Sequence, residues 1–441
     1  MIPLKNNSAP LTARQKAKRS TLPDDLPKDY DLYCPAIWKQ VFMNTRGSIF
    51  PCCEWTNMTQ TIKTKLPQLS SHGPEGTDVL QEARENVING KIPQGCLACK
   101  VDESKNIKSH RQGLIDVLGP VNKNYVKDKL VDAELIEYLD IRLGNTCNFM
   151  CNFCSPNNSH LIGKEWIADK SGPFPKDIAK QFLDREDVKK TLSKTISDHP
   201  TKKEFIESIH RYRNLKSVKL GGGEPFFQKK QTFRIIEKIP CKEKVKLRIL
   251  TNCSVYDEEI LQVTNYFREV NLALSIDATG RTLEISRWKS NWKSIQENIR
   301  KLKKWREHYN NNLKLSLIPA ISVYTILDLP NLLEFATEQE IRTENIRFVH
   351  DPESQMVNLI REEHLIKLKE KLQQRVVQGK IRKDLVNLDN IYSQLDYAIL
   401  NNRIEKNIIK TFWYYQKYFE SNRNYKLEEE LPELFDKVKK I

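Results

Sequence analysis

Long hydrophobic runs are what this 441-residue sequence lacks most plainly. No stretch of about eighteen apolar residues occurs, so no transmembrane helix is expected. The opening residues, MIPLKNNSAPLTARQKAKRS, have neither an apolar core nor a cleavage site. A secretory signal is therefore not expected; a polar, basic, disordered tail over residues 1–29 is, and the expected location is cytoplasmic. Glycine is scarce, at 15 residues, which alongside abundant Lys, Asn and Ile reads as genome bias rather than function. Acidic residues are outnumbered, 57 against 72 basic, for a net charge of +15. That excess admits a nucleic-acid partner without favouring one. The cations are scattered, and runs such as Lys301, Lys303, Lys304 and Arg306 read as the solvated face of one helix. What remains is ordinary globular composition, 39% hydrophobic and 29% charged, in a chain long enough for roughly two to three domains.

Ten cysteines without an export signal point to metal or redox chemistry rather than disulfides. Five lie in the first hundred residues, Cys241 and Cys253 stand alone, and three fall within eight residues: Cys147, Cys151 and Cys154. Thiolates at that density select zinc or an iron–sulfur cluster, and both normally take four ligands. One reading is a zinc knuckle completed by His160; the other is a cluster with one iron left open. The Cys-x3-Cys-x2-Cys spacing, with Phe153 just before the last Cys, resembles the signature of the radical S-adenosylmethionine (SAM) superfamily. The resemblance implies a [4Fe–4S] cluster on Cys147, Cys151 and Cys154, with Phe153 beside the cofactor. The open iron would be chelated by the amino and carboxylate groups of SAM.

From Glu137 onward, short apolar strands alternate with helical periods. The candidate strands end at residues 139–143, 218–220, 247–250, 272–276, 313–318 and 346–349. Trp292, Ile295, Ile299 and Leu302 share one helical face, as do Ile260, Val263 and Phe267. Alternation of this kind predicts a parallel sheet with right-handed crossovers. Six units suit an open, partial (β/α)6 barrel, the fold the resemblance also implies. Active sites of such folds gather at the C-terminal strand ends, where the unusual residues of this sequence fall. The second strand runs into Gly221-Gly222-Gly223-Glu224-Pro225, the third into Thr251-Asn252-Cys253-Ser254, the fourth into Ser275-Ile276-Asp277. Glycines allow close backbone approach to a ligand; exposed carbonyls and a carboxylate there can hold an ammonium group. A tight strand-to-helix turn is the plainer use of the same residues. The resemblance implies that Gly222, Gly223 and Glu224 bind the amino group of SAM, and that Asn252, Ser275, Asp277 and Arg287 contribute to the cofactor site. Arg287 could pair bidentately with a carboxylate. Cys253 occupies the third position of what is a Thr-Asn-Gly motif in relatives, and reads as a buried packing residue. No catalytic acid or base is assigned. The long segment from Ser155 to about Ser217, with Gly172-Pro173-Phe174-Pro175, reads equally as a substrate lid or a tolerated insertion.

A second thiol set lies upstream: Cys34, Cys52, Cys96 and Cys99, with Cys53 as an alternate to Cys52. Residues 44–53 read as a small hairpin with Gly47 in its turn. Four thiols in two pairs make a complete soft-metal site, for a cluster or for structural zinc. Cys-x12-Gly-x4-Cys resembles the first half of SPASM and twitch domains, which carry auxiliary iron–sulfur clusters in radical SAM enzymes. Here the module precedes the barrel rather than following it. The expected domains are the tail 1–29, an auxiliary iron–sulfur domain 30–130, the partial barrel 131–355 and a helical extension 356–441. In that extension Leu365, Leu368 and Leu372 share a stripe, and Phe412, Trp413, Tyr414, Tyr415, Tyr418 and Phe419 read as a packing face. The resemblance implies an enzyme that cleaves SAM reductively to a 5′-deoxyadenosyl radical for hydrogen abstraction. A flavodoxin or ferredoxin would be its low-potential electron donor, and a peptide or protein its favoured substrate. A small-molecule substrate and a metal-stabilised nucleic-acid binder are the alternatives.

Overall fold

The computed structural model describes residues 34–55, 77–104, 108–122, 133–169, 194–196, 199–309, 312–344 and 346–440. The expected tail over residues 1–29 and the Gly172–Pro175 stretch lie outside the described residues. The fold is mixed α/β with a large parallel sheet, and the chain divides into two compact units. One comprises residues 1–144, 196–249 and 259–270; the other 145–195, 250–258 and 271–441.

In the first unit, the short helix Pro35–Lys39 opens with proline, whose fixed φ suits a first helical turn. Its five residues are all buried. Arg84 Nε donates to the Ile37 carbonyl (3.0 Å), and Lys39 Nζ to that of Leu118 (2.7 Å). The chain then forms the expected hairpin. Strand Gln40–Met43 pairs antiparallel with Ile49–Phe50, Phe42 opposite Phe50. The Asn44 side chain accepts from Arg46 and Ser48 N–H groups, both at 2.9 Å, and Gly47 takes φ 82°. This is turn chemistry in which an Asn carboxamide replaces a backbone acceptor and glycine supplies the left-handed residue.

Gln40–Met43 also pairs in parallel with Tyr138–Arg142, which pairs with Ser217–Gly221, which pairs with Lys246–Thr251 through Ile249. Alternation sorts the faces. Val218, Leu220, Leu247 and Ile249 are essentially inaccessible, each stabilising the unit by about 2 kcal/mol through apolar burial. On the opposite face the register sets Phe42, Asp140, Lys219 and Arg248 in one row. Asp140 Oδ2 accepts from Lys219 Nζ (2.9 Å) and Arg142 Nη2 (3.3 Å). Burial disfavours the ionised Asp140, but these two cations outweigh it and hold the carboxyl below its ordinary value.

In the second unit, Leu313–Leu317 pairs in parallel with Arg342–Thr343, and the Ile318 N–H donates to the Leu274 carbonyl at 3.0 Å. The expected sixth strand at 346–349 is present as Arg347–Phe348, but it pairs with Ala320–Ile321 in a separate two-stranded sheet. The place beside Leu313–Leu317 goes to Arg342–Thr343, too short and too polar to announce itself by an apolar run. Helix Trp292–Tyr309 buries Ile295, Ile299, Leu302 and Trp305 and exposes Lys301 and Lys304, the amphipathic split its spacing predicts. Helix Glu362–Val377 buries Leu365, Leu368 and Leu372. Among the described residues no helix is long and apolar enough to cross a membrane.

Cys253 is a finding in its own right. It is buried with φ 60°, its N–H donates to Thr251 Oγ1 (3.1 Å), and its carbonyl accepts from Asn298 (2.9 Å). The left-handed backbone explains why glycine suits this position. Cys253→Gly is therefore expected to change stability by no more than about 1 kcal/mol, lost packing offsetting relieved strain. Cys253→Val is expected to cost about 2 kcal/mol or more, because a β-branched residue tolerates positive φ poorly. Denaturant midpoints of the two variants check this.

Candidate functional site

The three clustered thiols lie in the second unit on a small hairpin. Met150–Cys151 pairs antiparallel with Arg287–Trp288, placing Cys151 opposite Arg287. The Asn152 N–H donates to the Ser286 carbonyl (2.9 Å), and the Cys154 N–H closes a tight turn onto the Cys151 carbonyl (3.0 Å). Ser159 Oγ fixes the loop by donating to the Phe149 carbonyl at 2.8 Å. Cys147 and Cys151 are buried and Cys154 partly so.

Two N–H groups aim at sulfur: the Phe149 amide at Cys147 Sγ (3.4 Å) and Arg287 Nη1 at Cys151 Sγ (3.8 Å). Arg287 is itself held by a buried bidentate pair, Nε and Nη2 lying 2.7 and 2.9 Å from Asp277 Oδ2 and Oδ1. Asp277 Oδ1 also accepts the Ala320 N–H at 2.8 Å. Asp277 thus serves Arg287 first, so the site residues ten positions apart meet as partners of each other. Phe153 lies under the same guanidinium, its ring centre 5.4 Å from the Arg287 carbon. Burial opposes the charge on Arg287, but Asp277 and Cys151 outweigh it and raise its pKa further. Burial, then neighbouring Cys151, pushes the Cys154 thiol up to about 12. A metal bound there would displace that proton.

Asn252 faces the same loop. Its Nδ2 donates to Asn148 Oδ1 (3.0 Å), Asn148 Nδ2 donates to Ser254 Oγ (2.8 Å), and Ser254 Oγ donates to Asn252 Oδ1 (2.6 Å). This closed ring ties the end of the third strand to the thiol loop. The Ser275 N–H donates to the Thr251 carbonyl at 2.7 Å, and its side chain is half-buried. His160, read as a candidate zinc ligand, begins helix His160–Ala168, and its N–H donates to the Asn145 carbonyl (2.8 Å). Burial and nearby Lys164 lower its pKa.

Gly222, Gly223 and Glu224 lie in the first unit, immediately beyond strand Ser217–Gly221. Gly222 has φ 82° and Gly223 φ 57°. A Cβ on Gly222 would approach Arg142 Cβ to 2.9 Å and its Cα to 3.1 Å. Glu224 is buried; its Oε1 accepts the Phe226 N–H at 3.0 Å, while Gln228 Nε2 donates to the Gly222 carbonyl at 3.1 Å. The motif is thus a tight, self-bonded turn whose glycines let two backbones touch. Gly222→Ala is expected to destabilise by about 2 kcal/mol or more, from positive φ and backbone contact together, read as a lowered urea midpoint.

The upstream thiols gather within the first unit. Cys34, Cys52, Cys96 and Cys99 line one cavity with His110, Arg111 and Glu54. Burial pushes Cys34 up to about 12 and Cys99 to about 11, and raises Cys52 and Cys96 as well; neighbouring thiols push Cys34, Cys52 and Cys96 further. Cys53 does not join this lining. Its Sγ lies 3.8 Å from His110 Nε2. Burial opposes its ionisation, but His110 and Lys219 outweigh this and lower its pKa, while Cys53 in turn raises that of His110. Leu97–Ser104 ends before Ser109, which caps His110–Leu118 in a reciprocal capping box with Gln112. Arg111 grips Glu103 through Nε and Nη2 at 3.0 and 2.8 Å. Sequence reasoning missed His110, which is distant in the chain, and Asn148, whose position between Cys147 and Cys151 was the available signal. Among the described residues no three His, Cys, Asp or Glu side chains converge tightly enough to hold a single metal ion.

In an α/β fold with a large parallel sheet, two buried thiols and one half-buried thiol thus share one small hairpin, with N–H donors aimed at two of the sulfurs. Residues 141–336 match the family model described as Radical SAM superfamily. The family implies a SAM-binding iron–sulfur cluster, and the triad fits one: three soft donors, two already facing hydrogen-bond donors. Among solved structures, the chain is similar to native anSMEcpe with bound AdoMet, at 12% identity and TM-score 0.37, over 56% of this chain and 63% of that one. It is also similar to Streptococcus suis SuiB bound to S-adenosylmethionine, at 15% identity and TM-score 0.34, over 71% and 63%. SuiB bound to precursor peptide SuiA matches at 14% identity and TM-score 0.33, over 69% and 60%. The chain thus spans less than two thirds of the length of each. No curated protein matches.

Proposed function

We propose that this chain is a radical SAM enzyme that cleaves SAM reductively and uses the 5′-deoxyadenosyl radical to abstract hydrogen from a peptide or protein. The observation that carries the reading is the triad Cys147, Cys151 and Cys154, with the Phe149 and Arg287 N–H groups directed at the sulfurs of Cys147 and Cys151, inside the matched segment. The bound cluster would supply the electron for breaking the sulfonium bond. The chain's own residues supply position and shielding. N–H donors pointed at a thiolate favour its negative charge, and Asp277 keeps the Arg287 fork aimed at Cys151 rather than at solvent. The Asn148–Asn252–Ser254 ring fixes the loop against the strand end. Gly222, Gly223 and Glu224 are assigned to the SAM amino group, Ser275 and Asn252 to the cofactor's polar edge.

Cys34, Cys52, Cys96 and Cys99 are assigned to an auxiliary cluster of twitch type, the kind of module that favours a peptide substrate. A single zinc ion, with Zn–S near 2.3 Å, would need sulfurs about 3.8 Å apart. The cavity thiols do not converge on one ion, whereas a cluster places each thiolate on a different iron. Cys53 is left as the partner of His110.

The deciding experiment is anaerobic reconstitution of the full chain, iron and sulfide counting, and addition of dithionite and SAM. Formation of 5′-deoxyadenosine is the expected result. A chain that binds iron and sulfide yet yields none would overturn the reading.

A further inference from the structure

We infer that Arg423, at the end of helix Lys406–Arg423, is a positioning residue for the cluster-bearing loop. The inference rests on the reading that Cys147, Cys151 and Cys154 hold the SAM-site cluster.

Arg423 continues a stripe on which Ile409, Phe412, Gln416 and Phe419 are also buried. A guanidinium on such a face is costly unless every donor is used. Here the fork is used in two directions. Nε and Nη2 lie 3.0 and 3.0 Å from Glu165 Oε1 and Oε2, and Nη1 lies 2.6 Å from Asn152 Oδ1. The guanidinium carbon also sits 4.2 Å from the centre of the Phe419 ring. Asn152 follows Cys151 directly and precedes Cys154 by two residues. Glu165 belongs to helix His160–Ala168, which leaves the same loop. One side chain, 271 residues away in sequence, thus links the thiol loop to the helix that follows it.

Tyr425 extends the contact. Its ring centre lies 5.7 Å from that of Trp288, which stands opposite Met150 in the thiol hairpin. Arg423 hydrogen-bonds Asn152 of the thiol loop, so its positioning role runs through Asn152. Partners that orient ligand loops commonly change metal affinity by about 10- to 100-fold when lost. Asn152→Ala removes the loop contact and leaves the Arg423–Glu165 pair; Arg423→Lys keeps the charge and loses the fork.

The test uses the reconstituted full chain. Two signals are read: the EPR spectrum of the reduced protein with and without SAM, and the rate of iron loss to a chelator. Both variants are expected to lose iron from the SAM-responsive cluster about tenfold faster or more, and to show an altered SAM-responsive spectrum, with circular dichroism unchanged. Should Arg423→Lys fail to fold, Asn152→Ala decides alone. Wild-type spectra and loss rates in the folded variants would overturn the positioning role while leaving the cluster reading intact. A wild-type chain with no SAM-responsive signal would overturn the cluster reading itself, and this inference with it.

Discussion

Cys151→Ala is expected to form no 5′-deoxyadenosine above background, with circular dichroism and melting close to wild type. The two halves of that expectation have separate causes. Cys151 is small, and truncating it to alanine removes one sulfur atom from a buried site, worth about 1 kcal/mol. The hairpin that carries it is held by backbone pairing with Arg287–Trp288 and by the Asn152 N–H, neither of which depends on the thiol. A thiol triad has no spare member, however: three ligands leave one position for SAM, and two leave a cluster without a stable hold. The removed sulfur is also the one toward which Arg287 Nη1 points, so the guanidinium keeps Asp277 but loses its sulfur acceptor. Iron bound at this site should fall with product. A Cys151→Ala protein that still makes deoxyadenosine would show that the triad does not hold the cluster.

Cys96→Ala/Cys99→Ala is expected to lose about half of the reconstituted iron and sulfide, one cluster of two, while the SAM-responsive EPR signal persists. Both thiols line the cavity shared with Cys34 and Cys52, and all four are pushed upward in pKa by burial. Protonated buried thiols are apolar enough to survive there without metal, so the variant should remain folded. The measurement also separates the two metals. Zinc in place of a cluster would leave iron unchanged and remove one zinc per chain. Cys53→Ala should leave the metal count unaltered, because Cys53 lies against His110 rather than in the cavity lining.

Five of the six expected strands are legible because each is a short apolar run ending in a polar motif. The sixth misleads: Ile346–Val349 has the right composition, but Arg342–Thr343 takes the pairing beside Leu313–Leu317. Apolar content marks a strand, and two residues with one buried side chain leave too little of it. The hairpin expected over residues 44–53 is legible because Asn44 and Gly47 are the residues its turn needs. Asp277 and Arg287 are recognisable as a charge pair ten residues apart, yet periodicity does not reveal that they satisfy each other before any ligand. Gln416 and Arg423 are hidden for the opposite reason. They hold core positions on the stripe of Ile409, Phe412 and Phe419, but polar residues there read as solvated until their partners, Tyr324 and Asn152, are brought from distant segments. Long-range polar partnerships leave no local pattern, and they account for most of what the sequence conceals at this site.

The parallel pairing of Gln40–Met43 with Tyr138–Arg142 sets a timetable for synthesis. Residue 40 leaves the peptidyl-transferase centre 98 residues before its partner at residue 138, a wait of about 5 to 20 s at ordinary translation speeds. Its hairpin partner, Ile49–Phe50, arrives almost at once, so Cys34 and Cys52 are presented early on a ribbon with both edges bare. The wall formed by Tyr138–Arg142 comes later, shortly before Cys147. Metal delivery during translation would therefore meet the upstream thiols first, in a half-built and open cradle.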